Sequence, residues 1–389
     1  MRAFDRRQFL SLAGLGALTI PSAALLSGCG GSDPAPTGAA GGASAGSAGA
    51  GAGAPVGKIK LALSSSTLPT YITQLAGPLL YGKDFGLSVA KDDIVTFQSH
   101  ATAVQAVLSG QLQAVGASTM ANLSVIAQGS PFKLFAPYIL VDTYIIASTG
   151  DITTLADIKA KKATVAVDSE GGAARSGMDA ILVGKKAGFL VGELENVQGI
   201  ESSGGRASAL ENGQAQVALI HIYQANKLTA AGKKVNNLGS LYESVPQYLK
   251  ECYAAPQAWL DGNQATAAAL TASVLKASRE LSASEETFMS AVKELIPQPP
   301  ADDQLKLSFD LIKKYQFWPT TVTGLEPERL QFMLDLGKQE GLLANPSLSP
   351  TSVVDSRPMD AALKMVGGSS SGSSGASSSS LAAPTTGTS

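Results

Sequence analysis

Short apolar runs, each closed by a polar or glycine-containing turn, alternate with stretches of helical period through the middle of the chain. Residues 58–63 predict a strand that ends in the polar loop 64–67. Pro69 opens a predicted helix towards Tyr81, broken at Gly82. Residues 94–97 predict a short strand, 100–109 a helix stopped by Gly110, and 112–116 a strand running into Ser118 and Thr119. Further strands are expected at 132–137, 144–147 and 164–167. The last is followed by Asp168, Ser169, Glu170, Gly171 and Gly172, then a helix to Lys186. Residues 217–220 predict a strand ending at His221. From Gln264 onward the pattern turns helical, over 267–281, 283–295, 302–315 and 326–339. Alternation of this kind predicts an α/β fold with mostly parallel sheets between helical layers.

Two segments echo one another. Residues 106–115 and 209–218 both read as the end of a helix, a glycine (Gly110, Gly213), a Gln-x-Gln pair and a buried strand. Two similar lobes would produce this, and so would two ordinary helix–glycine–strand units.

Both ends of the chain depart from this pattern. Arg6 and Arg7 stand before Phe9 and Leu10, as in a twin-arginine export signal, with Asp5 where Ser or Thr is usual and Ser11 where Lys is common. No residue from Leu10 to Leu26 is charged. The stretch is short and weakly apolar for a permanent span, and it ends Leu26-Ser27-Gly28-Cys29, a lipobox-like sequence. Residues 1–28 are therefore expected to be a signal peptide. Cys29 is expected to be the lipidated mature N-terminus, anchored to a membrane surface without spanning it. Residues 29–57 are a Gly/Ala/Ser linker and 367–389 a Ser/Gly-rich tail, both expected to be disordered. Gly-x-Ser-x-Gly matches at 42–46 and 368–372 fall inside these low-complexity ends, away from any strand-to-helix turn, and carry no catalytic meaning. The folded part is left as residues 58–366, long enough for two lobes.

Composition narrows the function. Twenty-nine Lys and Arg balance 31 Asp and Glu, so no basic excess points to nucleic acid. Two His and two Cys in 389 residues are too few for a Cys/His zinc site or an iron–sulfur cluster, and no cofactor is expected.

The order of motifs resembles the taurine, sulfonate and nitrate branch of periplasmic solute-binding proteins, the NMT1/THI5-like group. Its carriers are Ser109-Gly110-Gln111-Leu112-Gln113-Ala114-Val115-Gly116-Ala117-Ser118, then residues 128–134, 152–162 and 253–260, and Val353-Val354-Asp355 ahead of 359–363. Gln113 and Gln216 stand where that family more often carries Asp. The resemblance implies a bilobal type II periplasmic binding protein fold: two mixed, mostly parallel sheets flanked by helices and joined by a two-crossing hinge. Lobe one is then 58–140 with 235–366, and lobe two 141–234, with crossings near 141–143 and 225–236. It implies a lipid-anchored, monomeric component of an ABC importer, partnered by a permease, that captures a small sulfonate-, taurine- or nitrate-like anion. Binders of a pyrimidine thiamine precursor or an aromatic carboxylate resemble the same group. So do same-fold enzymes, a sulfinate desulfinase and a thiamine-pyrimidine synthase. Those chemistries want a cleft cysteine or a His/Cys-rich iron site, and the chain is read as a non-enzyme.

Ligands of open α/β sheets bind beyond the carboxyl ends of the strands. The residues expected there are Ser65, Ser66, Thr67, His100, Ser118, Thr119, Ser169, Gly171, Gly172, His221 and Tyr223. Hydroxyls and free N–H groups at helix starts suit an anion, and glycines permit close backbone approach. The same Ser and Thr positions also read as helix caps. Tyr71, Tyr144 and Trp259 are candidates for aromatic surface, and Arg175 and Arg206 for pairing an anion.

Overall fold

Most strand positions in the centre of the molecule are buried on both faces, as sheets covered by helices require. The computed structural model describes residues 57–64, 68–97, 99–321, 323–343, 345 and 347–367. The expected signal peptide, Cys29, the linker up to residue 56, the tail beyond 367 and the candidates Ser65, Ser66 and Thr67 lie outside the described residues. The strands are β1 (Gly57–Lys58), β2 (Leu61–Leu63), β3 (Leu87–Ser88), β4 (Ile94–Thr96), β5 (Ala114–Ser118), β6 (Phe132–Ile139), β7 (Tyr144–Ser148), β8 (Val165–Val167), β9 (Val197–Gly199), β10 (Val217–His221), β11 (Asn236–Ser240) and β12 (Glu251–Pro256).

These strands form two five-stranded sheets of matching design, ordered β4-β2-β5-β12-β6 and β9-β8-β10-β7-β11. In each, three parallel strands are followed by one antiparallel strand that arrives from the other sheet. The chain leaves the first sheet between β6 and β7 and returns between β11 and β12. The return comes later than the expected 225–236. Strand Asn236–Ser240 pairs antiparallel with β7, so the second sheet continues through Ser240 and the crossing falls between Ser240 and Glu251. Its mixed Asn-Asn-Leu-Gly-Ser pattern carries little strand signal, and only the edge pairing with β7 makes it a strand.

The internal echo is structural. Gly110 and Gly213 both take positive φ, 78° and 70°. Gln113 Oε1 accepts the Lys60 N–H at 2.8 Å, and Gln216 Oε1 accepts the Thr164 N–H at 3.2 Å. Each side chain thus ties the start of a central strand to its parallel neighbour, which gives the two glutamines the same job in the two sheets.

The stretch after Pro69 does not break at Gly82. It runs as a 3₁₀ turn (Pro69–Tyr71), an α-turn (Ile72–Ala76), a π-turn (Gly77–Tyr81) and a second 3₁₀ turn (Gly82–Phe85), and ends at Gly86 with φ 75°. Gly77 is needed for contact rather than for a turn: a Cβ there would sit 3.0 Å from Val274 Cα on the helix Gln264–Ala283. Across the groove between the sheets, the helices Ala173–Gly184 and Pro327–Gln339 meet where Ser176 Oγ donates to Glu340 Oε2 at 3.0 Å.

Trp318 is fully buried, packs 6.0 Å from the Phe288 ring, and donates its indole N–H to the Thr70 carbonyl at 2.8 Å. Trp318→Ala is expected to destabilise the protein by about 3–5 kcal/mol, since it opens a large cavity and orphans a buried carbonyl. A shift of the urea midpoint, with the slope unchanged, measures this.

Candidate functional site

Both crossings pass the carboxyl ends of the central strands. Ser118, the last residue of β5, lies opposite Glu251 at the start of β12. His221, the last residue of β10, lies opposite Tyr144 at the start of β7. Asp142 from the first crossing and Lys250 from the second meet there at 2.8 Å, both fully buried. Thr70 Oγ1 and the Thr143 N–H also donate to Asp142 Oδ1, at 3.1 and 2.6 Å. The Lys250 ammonium lies over the rings of Tyr71 and Tyr144, 4.8 and 4.2 Å from their centroids, and donates to the Tyr71 hydroxyl. Glu251 accepts from the Tyr71 and Tyr138 hydroxyls at 2.8 and 2.5 Å. Burial would raise the Asp142 carboxyl, but Lys250 and His221 hold it down at about 2. Burial would lower the Lys250 ammonium, and Asp142 with its neighbours raises it instead. The pair is ionised, and its neighbours Tyr71, Tyr144 and His221 are the residues that reach the site.

A cavity of about 420 Å³ opens between the lobes beside Tyr71, Tyr144 and His221. From the first lobe it is bordered by Ser64, Tyr71, Phe97, Ser99 and His100. From the second it is bordered by Tyr144, Asp168, Glu201, Ser202, Ser203, Gly204, Arg206, His221 and Tyr223. A smaller cavity of about 210 Å³ shares Ser99, His100 and Glu201 with it and reaches Ser169, Gly171 and Gly172. His100, Ser169, Gly171, Gly172, His221 and Tyr223 therefore border one or other of two adjoining spaces. Ser118 and Thr119 are fully buried, are not among the residues bordering either cavity, and their hydroxyl oxygens have no hydrogen-bond partner. Trp259 is partly buried against the core and is not a cavity residue either.

One helix start is already occupied by the protein itself. Asp168 accepts the N–H groups of Ala174 and Arg175 at 2.8 and 2.7 Å, which caps the helix Ala173–Gly184. A Cβ on Gly172 would fall 2.3 Å from that carboxylate, so the glycine is required by Asp168 rather than by close approach of a ligand. The helix Ser203–Glu211 differs. Ser202 Oγ accepts the Gly205 N–H at 3.1 Å, and Ser203 and Gly204, whose N–H groups have no intrahelical acceptor, border the cavity. Arg206, one turn in, is buried. It donates Nε–H to the Leu219 carbonyl at 2.7 Å and Nη1–H to those of Ile200 and Glu201, both at 2.9 Å. Its Nη2 has only a 3.5 Å contact with the Tyr144 hydroxyl, and among the described residues no carboxylate pairs with it. Asp168 is held by backbone N–H groups and Glu201 Oε1 accepts from Ser169 N–H at 3.2 Å. Asp168, Glu201 and Arg206 thus border the cavity held by backbone hydrogen bonds, and among the described residues none of the three has an ion-pair partner.

Sequence reasoning missed Asp142, Lys250 and Glu251 as site residues because their burial and partners come from elements far apart along the chain. A charged pair entering an apolar strand, Lys250-Glu251 before Cys252-Tyr253-Ala254-Ala255, was the available signal. The Ser202–Gly204 start was legible as a Ser-Ser-Gly-Gly run after Glu201.

The two histidines sit at the cavity in neutral form. His221 stacks on Tyr144 (4.4 Å between centroids) and Tyr223 (5.9 Å). Burial lowers its imidazole to about 4, with Asp142 opposing and Lys250 and Arg206 reinforcing. Burial likewise lowers His100 to about 4. In an unfolded chain both would titrate near 6.5. Between these values the unfolded state holds more protons, so stability is complete above pH 6.5 and is lost as pH falls towards 4. Each histidine should withdraw about 2 kcal/mol between pH 7 and pH 5. Urea melts at the two pH values check this, and His100→Gln and His221→Gln should each flatten the difference.

The profile of the NMT1/THI5-like family matches residues 73–286, more than half of the chain. No curated protein matches it in sequence. Among solved structures, the ligand-binding component of an ABC-type import system from Staphylococcus aureus, solved with zinc bound, superposes with a TM-score of 0.61 at 14% identity over 78% of this chain and 98% of that one. The alkanesulfonate-binding protein SsuA of Xanthomonas axonopodis pv. citri, bound to MOPS, gives 0.60 at 15% identity over 77% and 99%. The periplasmic nitrate-binding protein NrtA of Synechocystis gives 0.60 at 12% identity over 79% and 88%. The two sheets exchanging strands at a double crossing are the periplasmic binding protein fold, and the chain belongs to the NMT1/THI5-like family.

Proposed function

We propose that this protein is the solute-binding component of an ABC importer and that it holds a small anion between its lobes. The observation that carries the reading is the buried guanidinium of Arg206. It borders an interlobe cavity beside the start of the helix Ser203–Glu211, without a carboxylate partner among the described residues. A helix N-terminus and a forked donor together favour a carboxylate, sulfonate or nitrate oxygen. Structural similarity to sulfonate- and nitrate-binding proteins supports the same class. His100 and Tyr71 from the first lobe would complete the grip as the lobes close about residues 140–143 and 241–250. Ser169, Gly171 and Gly172 border the smaller, adjoining cavity.

Binding rather than catalysis is favoured by the cavity's chemistry. Cys252, the sole cysteine in the described region, is fully buried and burial pushes its thiol upward, away from the nucleophilic thiolate. A panel of sulfonates, nitrate, carboxylates and pyrimidines, screened by melting temperature, tests the reading. A ligand-specific rise without consumption of the ligand is expected, together with a smaller radius of gyration in solution scattering at saturation. Arg206→Lys, which keeps the charge but loses the fork, should weaken that binding about 10- to 150-fold. Turnover of the ligand, or an unchanged radius at saturation, would sink the proposal.

The export signal belongs to the same reading. Cys29 is proposed as the lipidated N-terminus that keeps the protein near its permease, after residues 1–28 are removed. Cys29→Ala should abolish palmitate labelling in cells and release the protein from the membrane fraction. Labelling that survives the substitution would exclude the anchor.

A further inference from the structure

The C-terminal end of helix Pro327–Gln339 bridges the two sheets. The helix itself belongs with the first: it packs on helix Thr119–Ala127, which follows β5, so closely that a Cβ on Gly337 would fall 2.8 Å from Met120 Sδ. It is also tied to the second crossing. Met333 Sδ accepts the Leu249 N–H at 3.4 Å, and Arg329 donates to the carbonyls of Pro246 and Tyr248. Its end reaches helix Ala173–Gly184, which follows β8 of the second sheet. There Ser176 Oγ donates to Glu340 Oε2 at 3.0 Å, and Leu342 Cδ1 lies 4.0 Å from where a Cβ on Gly171 would stand.

This contact leaves a carboxyl group without the partners that an ionised one needs. Ser176 is fully buried, and its hydroxyl is the sole hydrogen-bond partner of the Glu340 side chain among the described residues. Glu340 Oε1 is shut off from solvent and has none. The cations of its own helix, Arg329 and Lys338, pair with Glu326 and Asp335 instead. The titratable groups that act on Glu340 are Asp179 and Arg175 on helix Ala173–Gly184 and Asp168 ahead of that helix. Tyr248, on the second crossing, has its phenol raised by burial and then by Glu340. Helices Thr119–Ala127 and Pro350–Val353, both packed on Pro327–Gln339, carry no titratable residue. A carboxylate kept from water needs several donors or a cation. Burial and then Asp179 raise the Glu340 carboxyl to about 8, against the opposing pull of Ser176 and Arg175.

We infer that Glu340 is a proton-dependent latch between the lobes: it enters the contact with helix Ala173–Gly184 as a neutral acid, so closure takes up a proton from solvent and opening returns it. Parting the lobes would give the carboxyl back to water, where it ionises near 4.5. Between that value and about 8 the closed arrangement holds more protons than the open one, so falling pH favours closure and rising pH opposes it. From pH 9 to pH 7 the ratio of closed to open protein should rise about tenfold. His100 and His221, lowered to about 4, stay neutral across that range. The opening and closing rest on the solute-binding reading above; the protonation of Glu340 in the contact does not.

Two measurements on ligand-free, full-length protein test the latch. Infrared difference spectra between pH 7 and pH 9 should show a protonated-carboxyl band that disappears with a midpoint near 8 and is missing from Glu340→Gln. Energy transfer between dyes on Lys91→Cys and Glu195→Cys, exposed positions ahead of the edge strands β4 and β9, follows the lobes. Cys29→Ala removes the competing thiol, and Cys252 is buried. A shift of about tenfold towards the closed population is expected from pH 9 to pH 7. Glu340→Gln, neutral at every pH, should stay closed at pH 9, and Glu340→Ala should open and lose the pH dependence. Absence of the acid band at pH 7 overturns the inference, and the wild-type spectrum decides this even if a variant does not fold. A band that titrates while the energy transfer stays flat also overturns it. Sulfonates, nitrate and carboxylates added as probes distinguish the two failures. Transfer that responds to a probe but not to pH removes the latch alone, whereas transfer that responds to neither removes the hinged solute-binding reading with it.

Discussion

The ion pair between Asp142 and Lys250 joins the two places where the chain passes from one sheet to the other. Each residue sits on its own crossing, and each is fully buried. Two charges in that position would be costly if either stood alone, by several kcal/mol, so the two crossings are held together. Lys250 is further enclosed by the faces of Tyr71 and Tyr144, one from each lobe. Asp142 takes donors from Thr70 in the first lobe and Thr143 at the crossing. The two sheets therefore meet through a polar knot, and Tyr71, Tyr144 and His221, which contact it, border the cavity.

The matching strand orders make this arrangement possible. Each sheet has a gap beside its central parallel strand that is filled by an antiparallel strand coming from the other half. The strand ends that face the groove are consequently equivalent: Ser118 and His221 close the two central strands, and Ser99 and Ser202 cap the helices that follow the outer ones. The halves diverge in what they do with these positions. The first lobe turns a histidine inwards from the helix start at His100. The second puts Arg206 and the free first turn of Ser203–Glu211 at the wall.

Charge in the cavity follows from which groups the fold already satisfies. The carboxylate of Asp168 caps a helix start and that of Glu201 accepts the Ser169 N–H, and neither has a cationic partner among the described residues. The Arg206 guanidinium is held in place by three carbonyls, which orient it without neutralising it. The imidazoles, kept neutral by burial, add directional hydrogen bonding without adding net charge. A site of this kind recognises a ligand by the placement of donors and acceptors as much as by its sign.

The alternation of apolar runs with helical stretches was enough to indicate two α/β halves, because buried parallel strands must be continuously apolar and glycines must end the helices that precede them. The echo at 106–115 and 209–218 carried the internal similarity, and of the strand-end candidates His221 and Tyr223 border the larger cavity, Ser169, Gly171 and Gly172 the smaller, and His100 both. The strand Asn236–Ser240 was hidden, since it exists through pairing with β7 and not through its own pattern. Gly172 was legible as a glycine that something must approach, but the approaching group is Asp168, four residues back, and only the folded turn brings it there. Asp142, Lys250 and Arg206 are ordinary charged residues in sequence, 108 positions apart at the extremes of the first two. Local pattern is set by neighbours within a few residues, whereas burial and partners of a charge are set by elements far apart along the chain. Most of the strands follow from the sequence's short-range periodicity; their order in the sheets, the strand Asn236–Ser240 and which charges are buried and paired were decided by the tertiary structure.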